Sequence, residues 1–110
     1  MVEQSAILDL IFSSLSDPTR RDILSRVMHH GQSVSEIAAE YDFSLAAIAK
    51  HLQVLEHAGL VRKIRRGKQR IVTVDPAGLT AAKDYLETYH ELWEQRLDNL
   101  TSYLNSIEED

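Results

Sequence analysis

Six cationic side chains, Arg62, Lys63, Arg65, Arg66, Lys68 and Arg70, fall within nine residues with no acid among them. Guanidinium and ammonium groups at that density donate hydrogen bonds to a polyanion and displace its counterions. The stretch just before them, Ser44–Gln53, carries Leu45, Ala46, Ala49, Lys50 and Gln53 on one helical face and Ile48 and Leu52 on the other. A solvated helix normally covers its free face with charge. A face of small residues with one cation and one amide instead allows close approach to another surface.

The chain has a net charge of −5 at pH 7, which argues at first against an anionic partner. The distribution reverses that impression. Residues 50–70 hold seven Lys/Arg against Glu56 alone, whereas residues 1–49 hold seven acids against three Arg, and residues 75–110 nine acids against two cations. Such blocks place a localised anion-binding patch on an acidic body. The 110 residues, 44% hydrophobic and 26% charged, suit one soluble globular domain. With no cysteine, disulfides, thiolate metal sites and thiol nucleophiles are excluded. There is no glycine-rich phosphate loop and the five His are scattered, so no grouping argues for an enzyme. No apolar run has membrane-span length and no signal-peptide pattern opens the chain, so a cytosolic location is the default expectation.

The elements that must position these groups follow from apolar spacing and punctuation. Ile7, Leu8, Ile11, Phe12 and Leu15 predict an amphipathic helix over residues 4–15. Asp17-Pro18 opens a second helix whose buried face is Ile23, Leu24, Val27 and Met28, with Gly31 as a left-handed cap after it. Ser33 followed by Glu36 predicts a capping box on a short third helix, and Tyr41–Phe43 a turn before Ser44 caps the fourth. Ile48, Leu52 and Leu55 are the buried stripe of that fourth helix, which Gly59 stops. A short helix, a tight turn and a second helix make a helix-turn-helix over residues 33–58. Residues 60–75 then read as a β-hairpin turning at Arg66-Gly67-Lys68 and ended by Pro76. A long helix over residues 79–107 repeats Leu79, Leu86, Trp93, Leu100 and Ile107 every seven residues. A stripe that long needs a partner, most simply a second copy of the chain. The predicted fold is mainly α with a small β-hairpin: about five helices in a winged helix-turn-helix, a single domain over residues 1–110 with 1–15 and 79–107 as dimerisation helices.

At this point the sequence resembles the ArsR-type winged-helix repressors of bacteria. The resemblance rests on the run Leu15–Leu24 (LSDPTRRDIL), on Val34–Ala38, on Ala47–Leu55 (AIAKHLQVL), on Ala58-Gly59-Leu60-Val61 and on the hairpin ending at Asp75-Pro76. It implies a homodimer that binds an inverted-repeat operator in double-stranded DNA and blocks transcription, with an interface between the first and last helices. Candidate DNA-binding residues are then Ser44, Leu45, Ala46, Ala49, Lys50, His51 and Gln53 on the helix, with Arg65, Arg66, Lys68 and Arg70 on the wing. Lys50 and Gln53 are the polar readers, Leu45 and Ala46 make apolar contacts such as to a thymine methyl, and His51 is packed or phosphate-facing. Candidate interface residues are Ile7, Leu8, Ile11, Leu86, Tyr89, Trp93, Leu97, Leu100 and Leu104. Relatives often carry Gln and Ser where this chain has Leu45 and Ala49, so their base preference does not transfer. The family's Cys-x-Cys metal position corresponds to Ala38 and Glu40, and the acids and His90 of the last helix lack its ligand pairs. The expectation is a member of the non-metal branch, with no metal, no cofactor and an inducer that the residues do not name. Two alternatives remain: a winged-helix module docking an acidic protein, and a metal-responsive repressor using the last helix.

Overall fold

The computed structural model describes residues 2–108, with side chains from residue 6 onward, so residues 1, 109 and 110 of the single expected domain lie outside the described residues. In order the elements are α1 (Val2–Leu15), α2 (Pro18–His29), β1 (Gln32–Ser33), α3 (Val34–Ala39), α4 (Leu45–His57), β2 (Val61–Arg66), β3 (Gln69–Val74) and α5 (Pro76–Glu108). The strands form one antiparallel sheet in the order β1-β3-β2. Two compact units meet between Thr80 and Ala81.

Each helix start in the first unit is chemically specified. Asp17 accepts the Arg20 N–H at 3.0 Å ahead of Pro18. Ser33 and Glu36 exchange both bonds of a capping box, each at 3.1 Å. Ser44 Oγ accepts the Ala47 N–H at 3.1 Å. At the far end of α4, Gly59 takes φ +74°. There Gly59 N–H reaches the Glu56 carbonyl and Leu60 N–H the Leu55 carbonyl, both at 3.0 Å, which pairs the last carbonyls of the helix. The core gathers Ile11 of α1, Ile23, Leu24 and Val27 of α2, Ile37 of α3, Ile48, Leu52 and Leu55 of α4, with Leu60, Val61 and Val72 beneath the sheet. Each such side chain contributes about 1.5–3 kcal/mol of burial.

Several features depart from the sequence expectations. The wing has a third strand, because Gln32 and Ser33 pair with Val72 and Ile71. Gly31 is not left-handed: the positive-φ glycines are Gly59 and Gly67, and the cap of α2 is His30 in an extended conformation. Gly31 is small for a different reason, since a Cβ there would lie 2.9 Å from Ile71 Cγ2 and 3.3 Å from the Val72 carbonyl. Met28, expected in the buried face of α2, is exposed. Ile11, grouped with Ile7 and Leu8 as an interface residue, is wholly buried within its own chain. It belongs to the core side of α1, while Ile7 and Leu10 remain exposed and Leu8 half-buried. The last helix starts at Pro76, earlier than Leu79, because Asp75 accepts the Ala77 N–H at 3.1 Å and Pro76 needs no acceptor in the first turn.

Gly78, in the first turn of α5, donates its N–H to the Gly59 carbonyl at 2.9 Å. A Cβ at Gly78 would fall 2.2 Å from that same oxygen. Gly→Ala ordinarily favours a helix; here it must push two backbones apart. The Gly78→Ala variant is expected to lose about 2 kcal/mol of stability. Urea denaturation checks this, and an unchanged or raised midpoint would contradict the close approach.

Candidate nucleic-acid interface

Burial of Ile48, Leu52 and Leu55 turns the opposite face of α4 outward. Ser44, Leu45, Ala46, Ala49, Lys50 and Gln53 are all exposed. Between α4 and β2 lies an open groove of about 520 Å³ lined by Ala46, Ala49, Lys50, Gln53, Glu56 and Lys63. Two small methyl side chains form part of its wall, with a cation and an amide beside them. Glu56, the lone acid of the basic block, faces Lys63 at 4.0 Å across this groove. Lys63 is thereby partly neutralised within the chain.

His51 does not share that outward face. It is half-buried, with Nδ1 3.4 Å from Arg20 Nη1 and 4.0 Å from the Asp17 carboxylate. Arg20 in turn donates to the Ser14 carbonyl at 2.7 Å and the Ser13 carbonyl at 3.3 Å, and Arg21 to the Leu15 carbonyl at 2.9 Å. The paired arginines of Asp17–Arg21 therefore close the C-terminal end of α1, whose last carbonyls have no partner within the helix. The same arginine braces His51 of α4. The sequence reading gave these residues no such task; the available signal was two arginines a few residues past a predicted helix end.

A second anchor holds the turn before α4. The Tyr41 hydroxyl donates to Asp22, Arg26 Nε donates to Asp22 at 3.0 Å and lies 3.2 Å from the Tyr41 hydroxyl, and Arg26 Nη1 approaches Glu40 at 3.5 Å. Arg26 also lies over the Tyr41 ring at 5.4 Å, and that ring stacks on Phe43 at 5.9 Å. The Tyr41 hydrogen bond, then Arg26, hold the Asp22 carboxyl below its ordinary pKa, while burial and then Asp22 push the Tyr41 phenol up. Asp17 is likewise lowered, first by the Arg20 N–H that it caps.

On the wing, Arg65, Arg66, Lys68 and Arg70 are exposed. Gly67 makes the turn at φ +61°. Arg65 stands directly opposite Arg70 in the ladder, a like-charge pair that costs stability in an isolated sheet. Along α5, Leu86, Tyr89, Trp93, Leu97, Leu100 and Leu104 are exposed, Trp93 at 60%. His90 and Glu94 face each other at 3.6 Å, but no group of three or more residues able to hold a metal ion occurs among the described residues. No described helix is long and apolar enough to cross a membrane.

A helix-turn-helix with a basic three-stranded wing is the make-up of a DNA-binding regulator, and the relatives agree. Residues 15–64 match the family described as "Helix-turn-helix domain". The HTH-type transcriptional regulator Rv2034 of Mycobacterium tuberculosis is 32% identical over 102 residues, 93% of this chain and 92% of that one. An ArsR-like transcriptional regulator from Rhodococcus sp. RHA1 superposes with a TM-score of 0.74 at 34% identity, covering 87% of this chain and 91% of that one. The transcriptional repressor SdpR of Bacillus subtilis is 33% identical over 58 residues, 53% of this chain and 64% of that one. The chain belongs to the ArsR family of winged helix-turn-helix transcriptional regulators, a family of DNA-binding proteins and not of enzymes.

The Asp22 anchor makes an acid-stability prediction. A carboxyl whose folded pKa is depressed contributes stability above its ordinary value, here 3.8, and loses it as pH falls through the lowered value. Tyr41→Phe removes the largest cause of that depression. The variant is expected to be about 1 kcal/mol less stable near pH 6, a figure discounted for partial exposure. The difference should shrink toward pH 2, as read from urea midpoints at each pH. A pH-independent difference would contradict the assignment.

Proposed function

We propose that this regulator is a homodimeric repressor, acting in the cytoplasm, that binds an inverted-repeat operator in double-stranded DNA and thereby blocks transcription. The observation that carries the reading is the exposed outward face of α4, with Lys50 and Gln53, which shares one open groove with Lys63 of the hairpin. α4 enters the major groove, where Lys50 and Gln53 present donors, and an amide acceptor, to base edges. Arg65, Arg66, Lys68 and Arg70 contact phosphates or the minor groove beside it, fixing position without reading sequence. His51 acts from behind the helix, holding it against Arg20 and Asp17. A resemblance to a named repressor supports repression over activation.

Dimerisation is supported by the exposed seam of α5. Leu86, Trp93, Leu100 and Ile107 recur every seven residues, and Tyr89, Leu97 and Leu104 widen the stripe. With α5 spanning 33 residues, about 50 Å at 1.5 Å per residue, the stripe is long enough for a stable helical seam. On α1, Ile7 is exposed and Leu8 half-buried, so the first helix can contribute these two without Ile11. A two-fold dimer presents two copies of α4 to half-sites about 34–36 Å apart, which is why the operator is an inverted repeat.

Two measurements test this reading. With about three phosphates neutralised per protomer, the logarithm of affinity for promoter DNA should fall against log salt with a slope of roughly −5. Replacing Arg65, Arg66 and Lys68 together by Ala should flatten the slope and weaken operator and random DNA alike, whereas Lys50→Ala or Gln53→Ala should change base preference. A slope near zero for the full chain would defeat the electrostatic part. In sedimentation equilibrium the chain should be dimeric at micromolar concentration, and Trp93→Asp with Leu97→Asp should give a folded monomer that binds the operator at least tenfold more weakly. A monomeric wild type with full operator affinity would remove the dimer from the proposal.

A further inference from the structure

The first turn of α4 has an unusual chemical make-up for the part of a recognition helix that meets base edges. Leu45 is 58% exposed and Phe43, just before the cap, 48%. Neither is packed away, although isolated exposed side chains of this size are common enough to need a second argument. That argument comes from their neighbours. The Ser44 hydroxyl accepts the Ala47 N–H at 3.1 Å, which holds it against the helix and leaves its short O–H as a donor. Ala46, Ala47 and Ala49 offer only methyl groups, and the first long polar side chain is Lys50. The Phe43 ring is held in place by its stack on Tyr41, itself anchored to Asp22 and Arg26. Among the described side chains, the leading end of α4 thus presents a pinned aromatic ring, an exposed leucine and alanine methyls.

Apart from the Ser44 O–H, hydrogen-bonding base edges find no side-chain partner in such a surface and would lose their water to it. The one feature of the major groove that suits it is the C5 methyl of thymine. We propose that the leading turn of α4 reads its half-site through thymine methyl groups, with Leu45 as the principal contact and Phe43 as a second, so that sequence preference there is apolar and not hydrogen-bonded. This deepens the operator-binding reading and rests on it. The 5-methyl group is also present on 5-methylcytosine, so the same turn distinguishes methylated from unmethylated cytosine at those positions.

The test uses the full chain. Its preferred site is selected from a pool of random duplexes, and each thymine of the half-site is then replaced singly by deoxyuridine, which removes the methyl and keeps every hydrogen-bonding group. One or two positions per half-site should lose roughly fourfold in affinity, the amount expected for one buried methyl. Leu45→Ala should abolish the deoxyuridine penalty at one of these positions and Phe43→Ala at another, with circular dichroism confirming that both variants are folded. Replacing a penalised T·A pair by 5-methylcytosine·G should bind better than replacing it by unmethylated C·G. A site indifferent to deoxyuridine at every thymine, or a penalty retained in both variants, would overturn the methyl reading and leave operator binding intact. A pool that yields no enriched sequence would overturn the operator reading itself.

Discussion

Everything at the candidate interface depends on the burial of three side chains on one helix. Ile48, Leu52 and Leu55 are fully excluded from water, and successive residues of a helix are turned by a fixed angle, so their burial determines where every other residue of α4 points. Ala46, Ala49, Lys50 and Gln53 are left facing out, His51 comes to rest against Arg20 at the edge, and Glu56 meets Lys63 of the wing. The identity of the outward face is a separate matter from its direction. The core fixes the direction, and the residues that meet a partner take no part in that packing.

The charges of this acidic chain are divided by task. In the first unit, Asp17 and Glu36 cap helices and Asp22 holds the turn before α4, and the pKa of each is lowered by the hydrogen bonds that these jobs supply. Arg20, Arg21 and Arg26 likewise face carbonyls and carboxylates of their own chain. The cations of the hairpin tip have little comparable internal work. Among the described residues Arg65 reaches the Gly67 carbonyl, at 3.5 Å, and stands against Arg70 in the ladder. A field that is negative overall but positive along one hairpin orients the molecule toward a polyanion before contact.

Local chemistry made much of this legible. Asp17, Ser33 and Ser44 announce helix starts because capping needs only a side chain and the N–H groups within one turn, and the hairpin is announced by β-branched residues around a glycine turn. What escaped was tertiary in origin. A strand as short as Gln32–Ser33 has no period to detect. Gly31 reads as a helix-ending glycine when what constrains it is Ile71, forty residues away in sequence. The apolar residues of α1 cover two adjoining faces, and nothing local says that Ile11 turns inward while Ile7 does not. The arginines after Pro18 act on carbonyls of the preceding helix, a contact that exists only once α1 and α2 have folded against each other. On α4, spacing located the outward face correctly, but His51 sits at its margin, where a difference of a few tens of degrees separates a base-facing side chain from one that braces the core.

Ser33 belongs to two structures at once. It is paired with Ile71 in the sheet, and it is the residue whose side chain caps α3. The base of the hairpin is therefore joined to the helix-turn-helix through the residue that starts α3, beside the Glu56–Lys63 contact with α4. The pairing of Gln32 and Ser33 with β3 thus spends part of the hairpin's ordering entropy in folding, before any partner arrives.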